Sequence, residues 1–187
     1  PGDERHALGL PALANLHSHA FQRAMAGLAE RRGPTTDTFW TWRETMYAHA
    51  LAMTPEEVEA VAAQLYVEML EAGFAAVAEF HYLHNQPDGS PYARRAELAE
   101  RIAAAAATSG LGLTLLPVFY AHATFGAAPP RAEQRRFITD LDGFARLVEE
   151  CRALAPSGVA PHSLRAVAPH ELDAVIKLAG DGPIHMH

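Results

Sequence analysis

Two pairs of histidines, His17 with His19 and His185 with His187, each split by one residue, stand toward opposite ends of the sequence. Side chains two apart on a β-strand point to the same face, so each pair aims two imidazoles at one point. Imidazole is the commonest protein ligand for zinc and its relatives, and two from one strand can share a coordination sphere. A hydrogen-bonded surface pair has the same spacing, and a motif this short does not separate the two. The placing of the second pair favours the metal. It follows a helix-like segment and a turn, Gly180-Asp181-Gly182, where a buried strand is expected to begin. If both strands are parallel neighbours in a barrel, their ends share a face and ligands remote in sequence meet in space.

The segments between the pairs supply such a framework. An apolar run from Leu10 to Leu16 leads into the first pair as strand one, and Ala20 to Leu28 reads as a helix stopped by Arg31-Arg32-Gly33-Pro34. A helix carried on the next loop is expected over 37–53, with Thr36 or Asp37 as N-cap and Phe39, Met46 and Ala50 on overlapping faces. Its Trp40 and Trp42 read as core or lid packing rather than a cofactor platform. Thr54-Pro55-Glu56-Glu57 is a capping box with proline at the first helical position, and Val58, Val61, Ala62, Leu65, Met69 and Leu70 then recur at helical spacing up to Gly73. Phe74 to Tyr82 is strand two, Tyr92 to Ser109 a helix closed by Gly110, and Leu111 to Tyr120 strand three. Helical segments at 133–137 and 141–154 precede strand four at Val159 to Leu164, and a helix at Ala168 to Ala179 precedes strand five at Ile184 to His187.

Strands alternating with helices imply a parallel sheet with right-handed crossovers. No strand is followed by G-x-G-x-x-G or a P-loop, which favours a (β/α)8 TIM-type barrel, class α/β, over an open nucleotide-binding sheet. A whole barrel takes ~250 residues. The 187 residues here hold about its first five units, as one partial barrel domain over 1–187, and both ends read as cut.

The active face of such a barrel lies at the C-terminal ends of its strands. Polar residues there are Glu79, His81, Tyr82 and His84 after strand two, Tyr120 and His122 after strand three, and His162, Ser163 and Arg165 after strand four. Taken singly, His49, His84, His122 and His170 read as structural or solvated. Arg43 beside the tryptophans and Arg165 past strand four present planar forks suited to carboxylates, so together on that face they suggest an anionic substrate.

Composition narrows the partners. With 49% hydrophobic residues the chain can bury a sizeable core, and a net charge of −7 with 15 scattered Lys and Arg argues against nucleic acid or a membrane surface. No apolar run is long enough to span a bilayer and no signal peptide is evident. The single cysteine, Cys151, reads as a buried apolar residue and fits a reducing cytoplasm.

Taken in order, N-L-H-S-H-A-F-Q-R-A-M-A-G-L at 15–28, F-W-T-W-R at 39–43, A-E-F-H-Y at 78–82, H-S-L-R-A-V at 162–167 and P-I-H-M-H at 183–187 resemble the bacterial N-formimino-L-glutamate deiminases of histidine breakdown. These belong to the amidohydrolase superfamily of metal-dependent (β/α)8 hydrolases. The resemblance implies one divalent metal ion, zinc first among the candidates, held by His17, His19 and His187, with His185 in a supporting role. It implies substrate contacts from Gln22, Arg43, Tyr82, His162 and Arg165, and hydrolysis of N-formimino-L-glutamate to N-formyl-L-glutamate and ammonia. A homodimer is the assembly the family habit allows. The family's acid/base Glu falls three residues beyond the position of His187, and its metal-binding Asp on strand eight and a His on strand six fall later still. No catalytic residue is therefore expected within 1–187, and the 187-residue chain alone is expected to hold metal weakly and to be inactive. Two other readings stand beside this one: a ring-substrate deaminase of the same superfamily, and a non-catalytic metal-binding or interaction half-barrel.

Overall fold

The computed structural model describes residues 8–28 and 39–187, and the side chains of Phe39, Trp40 and Thr41 lie outside that description. So do the expected helix stop at 31–34 and the expected cap at Thr36 or Asp37. Four parallel strands form one sheet in the order β1-β2-β3-β4: β1 at Leu13–Ser18, β2 at Phe74–His81, β3 at Gly112–Phe119 and β4 at Ala160–Pro161. Spatial order follows chain order without the reversal that creates the crevice of a doubly wound sheet. The strands make a half-barrel wall, with the helices between them as the outer layer.

The helices are α1 at Phe39–Ala52, α2 at Pro55–Glu71, α3 at Glu97–Ser109, α4 at Leu141–Arg152 and α5 at Pro169–Lys177. The expected capping box of α2 is formed: the Thr54 hydroxyl accepts from the Glu57 amide at 3.2 Å and the Glu57 carboxylate accepts from the Thr54 amide at 2.8 Å. Val58, Ala62, Tyr66 and Met69 form its buried stripe. Gly110 ends α3 in the left-handed conformation, at φ 83°. That helix starts at Glu97 rather than Tyr92, and the expected helix after strand one is a six-residue 3-10 segment, Ala20–Met25. Helical spacing at 133–137 contracts to a 3-10 turn at Ala132–Gln134.

The fourth and fifth strands depart most from expectation. The strand predicted at 159–164 pairs as β4 for two residues only, and 184–187 is tied to it by a single bridge, Val159 to Ile184. The ladder starts normally, with the Val159 amide donating to Pro183 O and the His185 amide to Val159 O, both at 3.0 Å. The next amide it needs belongs to Pro161, which has none. The His187 amide turns to His162 O instead, at 3.3 Å. Close approach here depends on two glycines. A Cβ on Gly158 would stand 2.0 Å from Pro183 O, and one on Gly182 would stand 2.4 Å from Ser157 O.

Among the described residues no helix is long and apolar enough to cross a membrane. Cys151 is buried, as its helical setting predicted.

Candidate metal centre and adjoining pocket

β1 delivers His17 and His19 to the end of the sheet, and the segment after α5 delivers His185 and His187 beside them. One ring nitrogen from each of His17, His19 and His187 can be chosen so that all three lie within 4.8 Å of one another. The Nε2 atoms of His17 and His19 are 3.0 Å apart, and Nδ1 of His17 is 2.9 Å from Nε2 of His185. His19 Nδ1 lies 3.0 Å from the Phe80 carbonyl oxygen. Only a protonated Nδ1 can donate to that carbonyl, which leaves Nε2 with its lone pair facing His17. Phe80, from β2, is the floor: its ring lies 5.1, 5.2 and 4.6 Å from those of His17, His19 and His187.

Electrostatics favour the neutral forms of His17, His19 and His187. Burial first, then neighbouring imidazoles, hold His17 below its ordinary range and His19 at about 4. His187 is lowered by burial as well. Three imidazoles offering ring nitrogens to one small region are a donor set for a borderline-soft divalent cation, and a backbone carbonyl holding the other nitrogen of His19 is what such ligands ordinarily have. The residues present therefore fit a divalent metal.

A cavity of about 300 Å³ opens against His19 and His187. Gln22, Arg43, Tyr82, His162 and Arg165 all line it, so every residue expected to touch substrate faces one space. Trp42, Met46 and Phe137 supply its apolar wall. Gln22 donates to the Tyr82 hydroxyl at 2.6 Å, and Arg43 lies over the Tyr47 ring, 5.1 Å from its centre, with Nη2 donating to the Tyr120 hydroxyl at 3.4 Å. His162 lies between Tyr120, tilted against it with ring centres 4.3 Å apart, and His187, edge to face at 4.6 Å, and burial pushes its pKa down to about 2. One of its ring nitrogens is 3.1 Å from Ser163 Oγ. Among the described residues Arg165 makes no ion pair, so its charge is available to the cavity.

Four of the polar residues at the strand ends, Glu79, His81, His84 and His122, are elsewhere. Alternation along β2 sends Phe80 and Tyr82 into the barrel and turns Glu79 and His81 outward beneath the helices. Glu79 is buried against α2, accepting from Tyr66 at 3.2 Å, and His81 is buried against His84. His84 bonds the Val118 carbonyl at 2.9 Å, the structural role expected of it, and His122 pairs with Glu171 at 2.8 Å. Sequence reasoning missed Tyr47, Phe80 and Phe137. Tyr47 carried a signal, since it lies one helical turn from Arg43. Phe80 and Phe137 carried none beyond being apolar.

A half-barrel of parallel strands with a histidine-rich cluster and a cationic pocket at the C-terminal strand ends defines a (β/α)-barrel of the hydrolase kind. Its sequence matches the amidohydrolase family over residues 9–187, and the chain belongs to that family. It is 51% identical over 184 residues to a formimidoylglutamate deiminase of Pseudomonas aeruginosa, a match covering 95% of this chain and 41% of that protein. The fold superposes on the crystal structure of an amidohydrolase from Brucella melitensis with a TM-score of 0.91 and 64% identity, over 94% of this chain and 41% of that one. It also resembles an adenosine deaminase from Xanthomonas campestris with bound zinc, at a TM-score of 0.62 and 22% identity over 95% of this chain and 36% of that one, a likeness of fold alone. The chain thus spans about two-fifths of the length of the curated relative it matches.

Proposed function

We propose that residues 1–187 form one domain, the first part of a metal-dependent hydrolase barrel that converts N-formimino-L-glutamate and water to N-formyl-L-glutamate and ammonia in the cytoplasm. The observation that carries this reading is Arg43 and Arg165 facing one small cavity beside the three histidines. Two guanidinium forks match two carboxylates, and the cavity is at the lower end of the ~300–1,000 Å³ of small-molecule sites. His17, His19 and His187 would hold the metal, zinc by preference for a set of neutral imidazoles. When bound it supplies Lewis acidity and a water acidic enough to act as a nucleophile near neutral pH.

The chain's own residues do the positioning. Arg43 and Arg165 grip the glutamate carboxylates at a fixed separation, which orients the formimino carbon toward the histidine cluster. Tyr82, already accepting from Gln22, keeps its hydroxyl proton because burial raises its pKa, and so can donate to the substrate. His162, neutral throughout the physiological range, offers a ring nitrogen to the amidine without bringing a positive charge near the metal site. Trp42, Met46 and Phe137 exclude water from the wall opposite, which strengthens each of these polar contacts.

The test is ammonia release from N-formimino-L-glutamate by the intact protein carrying this chain, with metal content measured on the same sample. Arg43→Met and Arg165→Met should each raise KM by one to two orders of magnitude at unchanged metal stoichiometry, the loss of one charge-assisted pair. Turnover of an uncharged aromatic amine with no turnover of formiminoglutamate would remove the substrate assignment and leave the hydrolase family standing.

A further inference from the structure

We infer that Arg136 is a positioning residue for the pocket: a buried cation that locks the C-terminal turn of α1 and thereby sets where Arg43 stands. The inference rests on the reading of the cavity as the substrate site.

Arg136 is fully buried, the largest such side chain among the described residues, and makes no ion pair with a carboxylate among them. Its guanidinium is spent on the backbone. Nη1 donates to Ala50 O at 2.6 Å and Met53 O at 2.8 Å, Nε donates to Asn85 O at 2.8 Å, and Nη2 reaches the Tyr92 hydroxyl at 3.4 Å. Ala50 and Met53 close the last turn of α1, where unpaired carbonyls carry the negative end of the helix dipole. A buried charge is tolerated when its donors find partners, and here four of the five N–H donors do. The Arg136 carbonyl oxygen in turn accepts the amides of His84 and Asn85, each at 2.9 Å. One residue therefore joins α1, the loop after β2 and the loop after β3.

The connection to the pocket is short. On one side of Arg136, Gln134 donates to the Tyr120 hydroxyl at 2.7 Å, the same hydroxyl that Arg43 reaches. On the other, Phe137 packs against Tyr82 with ring centres 5.0 Å apart and against Tyr47 at 5.9 Å. α1 makes its main contacts with the 3-10 segments at 20–25 and 132–134 rather than with a strand, so the clamp adds an anchor that sheet packing does not supply. A lysine could not replace it. A single ammonium nitrogen cannot span two α1 carbonyls and Asn85 O, which the planar fork does at once.

The experiment uses the intact, metal-loaded protein and its Arg136→Lys and Arg136→Met variants, read by hydrogen exchange and by steady-state kinetics. Exchange across α1 should quicken at least tenfold while amides of β2 and β3 keep their protection, and KM for formiminoglutamate should rise about tenfold with kcat falling less than threefold. Unchanged exchange in α1, or quickened exchange with an unchanged KM, overturns the inference; so does a uniform loss of protection across the sheet, the mark of a merely structural residue. In the parent protein, where folding is not at issue, the last-turn amides of α1 should open together with those of His84 and Asn85 as denaturant is raised. Opening of α1 at a lower denaturant concentration would refute the clamp. Exchange needs no substrate, so a protein inactive on formiminoglutamate would overturn the proposed reaction while the exchange data still decided the role of Arg136.

Discussion

Glu79→Gln tests how the first histidine pair is anchored. The Glu79 carboxyl is buried beneath β2, accepts from the Ala20 amide at 2.6 Å and from Tyr66 at 3.2 Å, and is also bonded by Ser18. Those contacts hold the residues on either side of His19. Burial nonetheless dominates and raises the carboxyl from its ordinary 4.5 to about 7, against the opposing pull of the hydrogen bonds. In the unfolded chain the proton leaves near 4.5, so between 4.5 and 7 the folded state binds more protons and stability falls as pH rises through that window. From pH 5 to pH 8 the loss amounts to about 2 to 3 kcal/mol, at about 1.4 kcal/mol per unit. Glutamine is nearly isosteric: its oxygen keeps the Ala20 bond, its amide can donate to the Tyr66 oxygen, and it carries no charge to bury. Urea unfolding of parent and variant at both pH values should show the variant gaining those 2 to 3 kcal/mol on the parent as pH rises. Parallel pH profiles would refute the reasoning, because they would mean that Glu79 ionises as easily in the fold as in water.

Two further outcomes follow from other buried contacts. Burial lowers His84 from 6.5 to about 4, so its contribution is full above 6.5 and is lost as pH falls toward 4; between pH 7 and pH 4.5 the parent should lose about 2 to 3 kcal/mol that a His84→Gln variant keeps, measured by urea titration. Gly158→Ala would place a Cβ 2.0 Å from the Pro183 carbonyl oxygen and push 183–187 away from β4; it should destabilise by the upper part of the ~1–3 kcal/mol of an overpacked site and weaken metal retention against a chelator at least tenfold.

What the sequence made legible were features set by local rules. The capping box at 54–57, the glycines after α2 and α3 and the H-x-H spacing each depend on a few adjacent residues, and each appears where expected. Tyr82, His162 and Arg165 were legible as polar residues at strand ends and Arg43 with Arg165 as a cationic pair on that face, whereas Gln22 joined them only through resemblance. The facing of β2 was not legible at all. Its run F-A-A-V-A-E-F-H-Y is apolar on both faces, so alternation could not say whether Glu79 and His81 or Phe80 and Tyr82 point into the barrel. The break after β4 was readable in principle from Pro161, but only once its neighbour and register were known. Arg136 carried no signal in the sequence, and only tertiary structure shows its guanidinium facing backbone carbonyls.

Metal binding at the candidate site would be linked to folding. His17 and His185 lie 168 residues apart in sequence yet 2.9 Å apart in space, so the cluster exists only once the sheet has assembled and cannot be preformed in the unfolded chain. A ligand that binds only the folded state stabilises it by RT ln(1 + [L]/Kd), about 4 kcal/mol at a thousandfold excess over Kd. The same proximity works against the fold when the metal is absent and the pH falls. Desolvation first, and then repulsion between protons on neighbouring imidazoles, lower the pKa values of His17, His19 and His187. Acid should therefore release the metal and loosen the junction between β1 and 184–187 in one step, because both depend on the same lone pairs staying free.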